Sequence, residues 1–284
     1  MEHVFRLTLA CPDRVGIVAQ VSNFLAQHNG TITEANQHAD MEEGWFFLRN
    51  EIKAASLPFG LTALRDAFTP IARDLDMTWE VHDSLVKRRV VILASHDSHC
   101  VADLLNRWHA GDLDCDIPCV IGNHDHLRSL VEWHGIPFFH VPVNRDHKTE
   151  HFSRVQALIN EHQVDTIVLA RYMQILPESF CAQWTQRIIN IHHSFLPSFI
   201  GAKPYHQAFE RGVKLIGATC HYVTTDLDAG PIIDQDVTRV SHRDSVEEMV
   251  RRGKDVERSV LARGLRWHLE DRVLVHGNKT VVFE

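Results

Sequence analysis

The sequence predicts an α/β protein of two domains: a ferredoxin-like βαββαβ unit, then a Rossmann-like, mostly parallel sheet. Two observations carry this. Up to about residue 83, short alternating strands enclose two amphipathic helices in the order βαββαβ. From Val90 onward, continuous apolar runs alternate with helix-sized polar segments, the pattern of a parallel sheet covered on both faces. With 284 residues, 44% hydrophobic and 23% charged, the chain has material for two ordinary cores.

Residues 3–9 alternate as a strand and end at Cys11-Pro12-Asp13-Arg14, where Asp13 can cap the next helix. In that helix Val15, Val18, Val21, Phe24 and Leu25 recur at three or four, an amphipathic pattern closed by Asn29-Gly30. Segments 31–40 and 44–52 read as strands about the turn Met41-Glu42-Glu43. A second helix covers 59–75, where Pro70 is expected to kink or end it, and 78–81 is a last short strand. Polar, basic residues then separate two composition regimes, which gives a domain 1–83, a linker 84–89 and a domain 90–284.

In the second domain the apolar runs 90–94, 117–121, 138–141, 166–170 and 188–191 are strands. Segments 100–109, 125–134, 148–161 and 177–184 are the helices between them. A strand pair, 215–223 and 231–240, lies around the turn 225–230. Ser245 and Glu248 form a capping box ahead of a helix running to about Leu269. The tail reads as a hairpin, 272–275 and 280–283, about Gly277-Asn278.

A net charge of −8 offers no basic patch, so neither nucleic acid nor an anionic membrane is an expected partner. No charged-then-apolar N-terminal signal and no long uncharged apolar run is present, so a cytoplasmic protein is expected. The six cysteines are scattered and read as reduced thiols. Cys115, Cys119, His124 and His126 have the residue types of a zinc site. Their spacing matches no closed motif and Cys119 falls in an apolar run, so no metal is expected.

The chemistry concentrates at 188–197. If 188–191 is a strand, its period of two puts Asn190 and His192 on one face, at the end where open α/β sheets bind ligands. Asp228, on a loop next to Gly230, is their candidate partner. An amide donor, an imidazole and a carboxylate are the parts for attack on a carbonyl. Asn190 can donate to the oxyanion, and His192 can stabilise the same charge or protonate the leaving group. Asp228 can hold His192 and take a proton from the nucleophile. Ser194 has no nucleophile elbow around it, which disfavours a covalent route.

Four ordered blocks, Asn190-Ile-His-His-Ser-Phe-Leu-Pro, Gly201-Ala-Lys-Pro-Tyr-His-Gln-Ala-Phe, Gly217-Ala-Thr-Cys-His-Tyr-Val and Leu227-Asp-Ala-Gly-Pro-Ile-Ile, resemble the 10-formyltetrahydrofolate formyltransferase superfamily over about 88–284. The resemblance implies that Asn190, His192 and Asp228 are the catalytic set, with His206 and His221 lining the site. Arg171, Tyr172, Met173, Gln174, Ile175 and Leu176 resemble its pteridine pocket, and Thr225, Asp226 and Leu227, with Asp228, its backbone partner. Met173, Ile175 and Leu176 suit a planar heterocycle, although core packing explains the same three side chains.

Upstream, Leu7-Thr-Leu-Ala-Cys-Pro-Asp-Arg-Val-Gly-Ile-Val resembles the opening of an ACT domain, a module that binds amino acids at a paired interface. That resemblance implies a ligand rim of Asp13, Arg14, Gly16 and Ile17 with Asn36, a homo-oligomer, and glycine or methionine as effector. Simple capping by Asp13 is the competing reading. An ACT-like domain in front of the formyltransferase-like one points to the superfamily's deformylase branch. Such enzymes use water as acceptor, release formate and tetrahydrofolate, and take the folate as substrate with no cofactor. This would balance the one-carbon pool and supply formate for purine synthesis. The turn Ala94-Ser-His-Asp-Ser-His-Cys100 favours water too: it lacks the glycines that hold an acceptor's phosphate in related transferases, and Asp97 adds negative charge. Two alternatives remain: formyl transfer to an amine, and an amino-acid-sensing regulatory protein with an inactive folate-binding domain.

Overall fold

Alternation of buried and half-buried side chains along β1 (Val4–Pro12) sets one face of the first sheet against helices. Around it lie α1 (Ile17–Gln27), β2 (Ile32–Asp40), β3 (Trp45–Lys53), α2 (Leu61–Asp74) and β4 (Thr78–Asp83). The sheet order is β2-β3-β1-β4, with every pair antiparallel, which is the expected ferredoxin-like layout. These are features of a computed structural model that describes residues 2–144, 148–198 and 204–284. Gly201, Ala202 and Lys203 of the second sequence block lie outside the described residues.

Ile17, Val21, Phe24 and Leu25 of α1, with Leu64, Phe68 and Ala72 of α2, bury against Phe5, Leu7, Leu9 and Leu48 of the sheet. One expectation fails here. Asp13 does not cap α1: the cap position is Gly16, at φ 98°, with no side-chain cap bond. A backbone at that angle needs no Asx cap and suits glycine. Of the two outcomes expected at Pro70, a kink or an end, the end does not occur: α2 continues to Asp74. The hydrogen bond lost at Pro70 is outweighed by the burial of Phe68 and Ala72 on either side of it.

Chain contacts separate two compact units. One holds the chain up to Lys87 together with Glu270–His276 and Thr280–Glu284; the other is Arg88–Leu269 with Gly277–Lys279. The tail hairpin, β13 (Val273–His276) and β14 (Lys279–Val282), was expected within 90–284. Its Leu274 and Phe283 instead pack with Phe47 of β3, and the buried Arg49 donates to the Glu270 carbonyl at 2.9 Å. The segment between β4 and the next strand is also shorter than 84–89. Arg88 and Arg89 already pair in β5, where the Arg89 N–H donates to Asp165 Oδ2 at 2.8 Å.

The second unit contains β5 (Arg88–Ala94), α3 (His99–Ala110), β6 (Cys115–Asp116), β7 (Val120–Gly122), α4 (Arg128–Trp133), β8 (Phe138–His140), α5 (Lys148–Glu161) and β9 (Thr166–Ala170). After these come α6 (Glu178–Gln183), β10 (Ile188–His192), α7 (Pro204–Arg211), β11 (Leu215–Tyr222), β12 (Ile232–Arg239) and α8 (Val246–Leu269). The strand expected at 117–121 is broken because Pro118 has no N–H for a ladder, leaving β6 and β7 as separate pieces on β5. The main path is β12-β11-β10-β9-β5-β7-β8, parallel from β10 to β8 and antiparallel at β11 and β12. Strand order reverses between β5 and β9, so the crevice outside their carboxyl ends is the predicted ligand position. Among the described residues, no helix is long and apolar enough to cross a membrane.

Candidate active site

β10 ends where the parallel sheet turns antiparallel, and its alternation sets Asn190 and His192 on one face between buried isoleucines. Asn190 lies directly across from His221 of β11, and His192 across from Thr219. The cross-strand pair fixes the hydrogen-bond roles. His221 Nδ1 lies 2.9 Å from the Tyr222 carbonyl oxygen, so it carries the proton and donates. Burial lowers the His221 pKa, so the ring is neutral and its Nε2 is a bare acceptor. The group 3.1 Å from that Nε2 must therefore be the Asn190 amide nitrogen, which keeps a second N–H available.

Asp228 reaches the same place from the loop after β11. It sits at φ 53°, with Oδ2 3.3 Å from His192 Nδ1 and Oδ1 3.8 Å from His221 Nε2. The loop is anchored at Gly230, where an added Cβ would lie 1.9 Å from the Tyr222 carbonyl oxygen, so only glycine fits. Burial pushes the Asp228 carboxyl up, but its histidine neighbours, foremost the hydrogen bond from His192, outweigh it and hold the pKa below the usual value. His193 is pushed down to about 3 by burial and by Arg171. His192, only 5% exposed, therefore stands among neutral imidazoles, and its Nε2 is buried without a hydrogen-bond partner among the described residues. An anchored amide donor, a carboxylate-bound imidazole and a bare buried nitrogen are suited to acid–base work on a carbonyl.

A formyl transferase family model matches residues 88–265. The formyltetrahydrofolate deformylase of Bacillus subtilis is 51% identical over 279 residues, covering 98% of this chain and 93% of its own. This chain belongs to the formyltetrahydrofolate deformylase family. A crystal structure of a formyltetrahydrofolate deformylase from Pseudomonas syringae superposes with a TM-score of 0.98 at 66% identity, covering 100% of this chain and 95% of that one. A phosphoribosylglycinamide formyltransferase from Anaplasma phagocytophilum matches at TM-score 0.63 and 35% identity, over 70% of this chain and 96% of its own.

Within this deformylase-family chain, the structure gathers Asn190, His192, His221 and Asp228 and separates other residues that the sequence grouped with them. His206 is exposed on α7 and makes no hydrogen bond or ion pair with this set among the described residues. Its neighbour Tyr205 is the buried one, donating to Glu257 Oε1 at 2.6 Å. In the 171–176 segment, Met173 and Ile175 are exposed whereas Tyr172 and Leu176 lie in the core cluster. Tyr172 is bonded to His151 at 2.5 Å, so only its backbone could meet a ligand. Gln174 is half-buried, and Arg171 turns inward to Asp97 and Glu257. Thr225, Asp226 and Leu227 form an exposed turn closed by Ala229 N–H donating to the Asp226 carbonyl at 3.4 Å.

The sequence reading missed the residues that hold this geometry. Thr219 Oγ1 donates to the Ser194 carbonyl at 2.9 Å and accepts from Leu196 N–H at 3.0 Å and from Gln235 Nε2 at 2.9 Å, pinning the chain just after His192. Ser95 Oγ accepts the Met173 N–H at 2.9 Å and so sets the 171–176 segment. Thr219 precedes His221 by two on the same strand face, a signal the sequence did contain. Ser194 is buried and its Oγ donates to the Ser198 carbonyl at 2.7 Å, a structural role.

Elsewhere, Cys115 and Cys119 are buried in the core, while His124 and His126 stack with His96 at 3.6 and 4.9 Å. These four do not form a ligand cluster among the described residues. In the first unit, Asp13, Arg14, Gly16 and Ile17 stay together at the start of α1, with Arg14 paired to Asp76 at 3.1 Å and Ile17 buried. Asn36 is not brought to them. It sits in β2 opposite Arg49, which in turn lies opposite Thr8 of β1, five residues before Asp13.

Proposed function

We propose that this chain hydrolyses 10-formyltetrahydrofolate to formate and tetrahydrofolate, with water as the acceptor. The observation that carries the reading is the buried, unpartnered His192 Nε2, backed by Asp228 and flanked by the free N–H of Asn190. The pterin lies against Met173 and Ile175, with its polar edge on backbone groups of Thr225, Asp226, Leu227 and Asp228. The formyl oxygen accepts from the Asn190 amide and from protonated His192. Water bonds to the formyl carbon as its proton passes to Asp228, giving a tetrahedral anion held by those two donors. His192 then delivers its proton to the folate nitrogen and the C–N bond breaks, with that nitrogen keeping the bonding pair. Formic acid leaves and loses its proton to solvent to give formate, and the Asp228 proton restores His192. No step calls for a cofactor.

In this reading the N-terminal unit is an ACT-type sensor of glycine or methionine, and the enzyme is a cytoplasmic homo-oligomer. It balances the one-carbon pool and supplies formate for purine synthesis. The antiparallel βαββαβ layout and the glycine-started α1, whose first N–H groups suit a carboxylate, support the sensor. The separation of Asn36 from Asp13 within one chain fits a rim completed by a second copy. Calorimetric titration with each amino acid tests this part, and absence of heat and of any rate change for both refutes it.

The test of the reaction is to mix the purified protein with 10-formyltetrahydrofolate and no other acceptor, following formate and tetrahydrofolate together. Equal, catalytic release of both is expected. No release without an amine acceptor, and turnover with one, makes the protein a transferase. No turnover in either case leaves the sensor with an inactive folate-binding domain.

A further inference from the structure

Beyond the catalytic set, six charged or polar side chains converge at the carboxyl ends of β5 and β9. Asp97, just after β5, accepts from Lys254 Nζ at 2.9 Å through Oδ1 and from Arg171 Nη2 and Nε at 3.2 and 3.3 Å through Oδ2. Arg171 also lies 3.5 Å from Glu257, which is 1% exposed and accepts from His99 at 2.8 Å and from Tyr205 at 2.6 Å. Two cations thus meet two carboxylates, and the cluster is balanced by Asp97. Hydrogen-bonding capacity is left over. Arg171 Nη1 and His99 Nδ1 are buried without partners among the described residues, and the His99 side chain is only 9% exposed.

Cations, spare donors and the start of α3 at a topological switch point make a place for an anion, and this protein fills it with its own carboxylate. The place stands two strands from Asn190, through β9, which is a lateral step of about 10 Å at the usual strand spacing. A one-ring sugar phosphate carrying an amine spans that distance. The related formyltransferase described above is named for such an acceptor, a phosphoribosyl amine.

We propose that Asp97 is a built-in anion: it occupies Arg171 and Lys254, shuts out the phosphate of an amine acceptor, and so leaves water to take the formyl group. The proposal rests on the hydrolase reading and explains its acceptor. It also accounts for Arg171, which the sequence assigned to the folate pocket.

The test is calorimetric titration of inorganic phosphate into the full-length wild type, Asp97→Asn and Asp97→Asn/Lys254→Met. Wild type is expected to bind no phosphate at millimolar concentration. Asp97→Asn should bind it roughly tenfold or more tightly, the effect of one regained charge-assisted contact, and the double variant should lose that gain. Phosphate binding by the wild type, or no gain in Asp97→Asn with a native melting profile, overturns the proposal. If Asp97→Asn does not fold, Asp97→Ser carries the same comparison, and the wild-type titration stands by itself. Formate release by the wild type is measured separately, so failure of the hydrolase reading is not mistaken for failure of the anion plug.

Discussion

Asp228→Asn keeps the shape of a side chain and removes its charge, so it isolates what the carboxylate does for His192. The two groups are 3.3 Å apart. Coulomb's law over that distance gives about 5 kcal/mol at an effective dielectric of 20 and about 2.5 kcal/mol at 40. If the charge matters when His192 is protonated in the transition state, kcat falls by roughly 70-fold to 5,000-fold. The side chain is 10% exposed, which favours the larger figure.

The assay is formate release from 10-formyltetrahydrofolate as a function of pH. Although burial alone would raise it, the Asp228 pKa lies below its ordinary value because its histidine neighbours prevail. The ionised form therefore survives as pH falls through the usual carboxylate range, and wild-type activity is lost only as pH drops through the depressed pKa. The variant has no such group, so its residual rate should lack this acid limb. A variant within about threefold of wild-type kcat, or one with the same acid limb, refutes the coupling of Asp228 to His192.

Three further outcomes are expected. Asn190→Ala and His192→Ala should each lower kcat by roughly a hundredfold or more, the cost of an oxyanion donor, while folate binding followed by fluorescence quenching is kept; near-normal kcat in both refutes the catalytic assignment. Thr219→Val keeps the volume of a fully buried side chain but strips partners from Leu196 N–H, the Ser194 carbonyl and Gln235. It should cost about 2 kcal/mol in thermal unfolding and lower kcat/KM, because the segment after His192 is released. Arg49→Met strips Glu51, at 2.6 Å, and Glu34, at 3.3 Å, of a fully buried cation. Urea unfolding of the N-terminal unit should weaken by about 3 kcal/mol, with formate release unaffected in native buffer.

What the sequence made legible is what period and punctuation encode. Two-residue alternation placed Asn190 and His192 on one face of β10, and Ser245 marked the start of α8, where its Oγ does accept the Glu248 N–H, at 3.3 Å. The Glu248 side chain, which should have closed the capping box, goes instead to Arg251 and Arg252. That is the usual limit of a local rule: it names the groups that could pair, and longer-range partners choose among them. His206 shows the same limit at one residue's resolution. Adjacent residues on a helix point about 100° apart, so a motif that marks α7 as lining the site does not say whether Tyr205 or His206 turns inward.

The charge cluster was illegible for a different reason. His99 and Glu257 are 158 residues apart, and Lys254 and Asp97 157. Neither separation leaves any periodic trace in the chain. Arg171 and Asp97 were both singled out, one as a folate contact and one as a deterrent to phosphate, and only the structure pairs them. The pairing changes the meaning of each. A negative charge alone weakens an anion site, whereas a carboxylate already bound by two cations fills it, and here it takes the Nε and Nη2 donors of Arg171. Acceptor choice in this chain is therefore an argument about one pair of side chains, Asp97 with Arg171, rather than about the missing glycines.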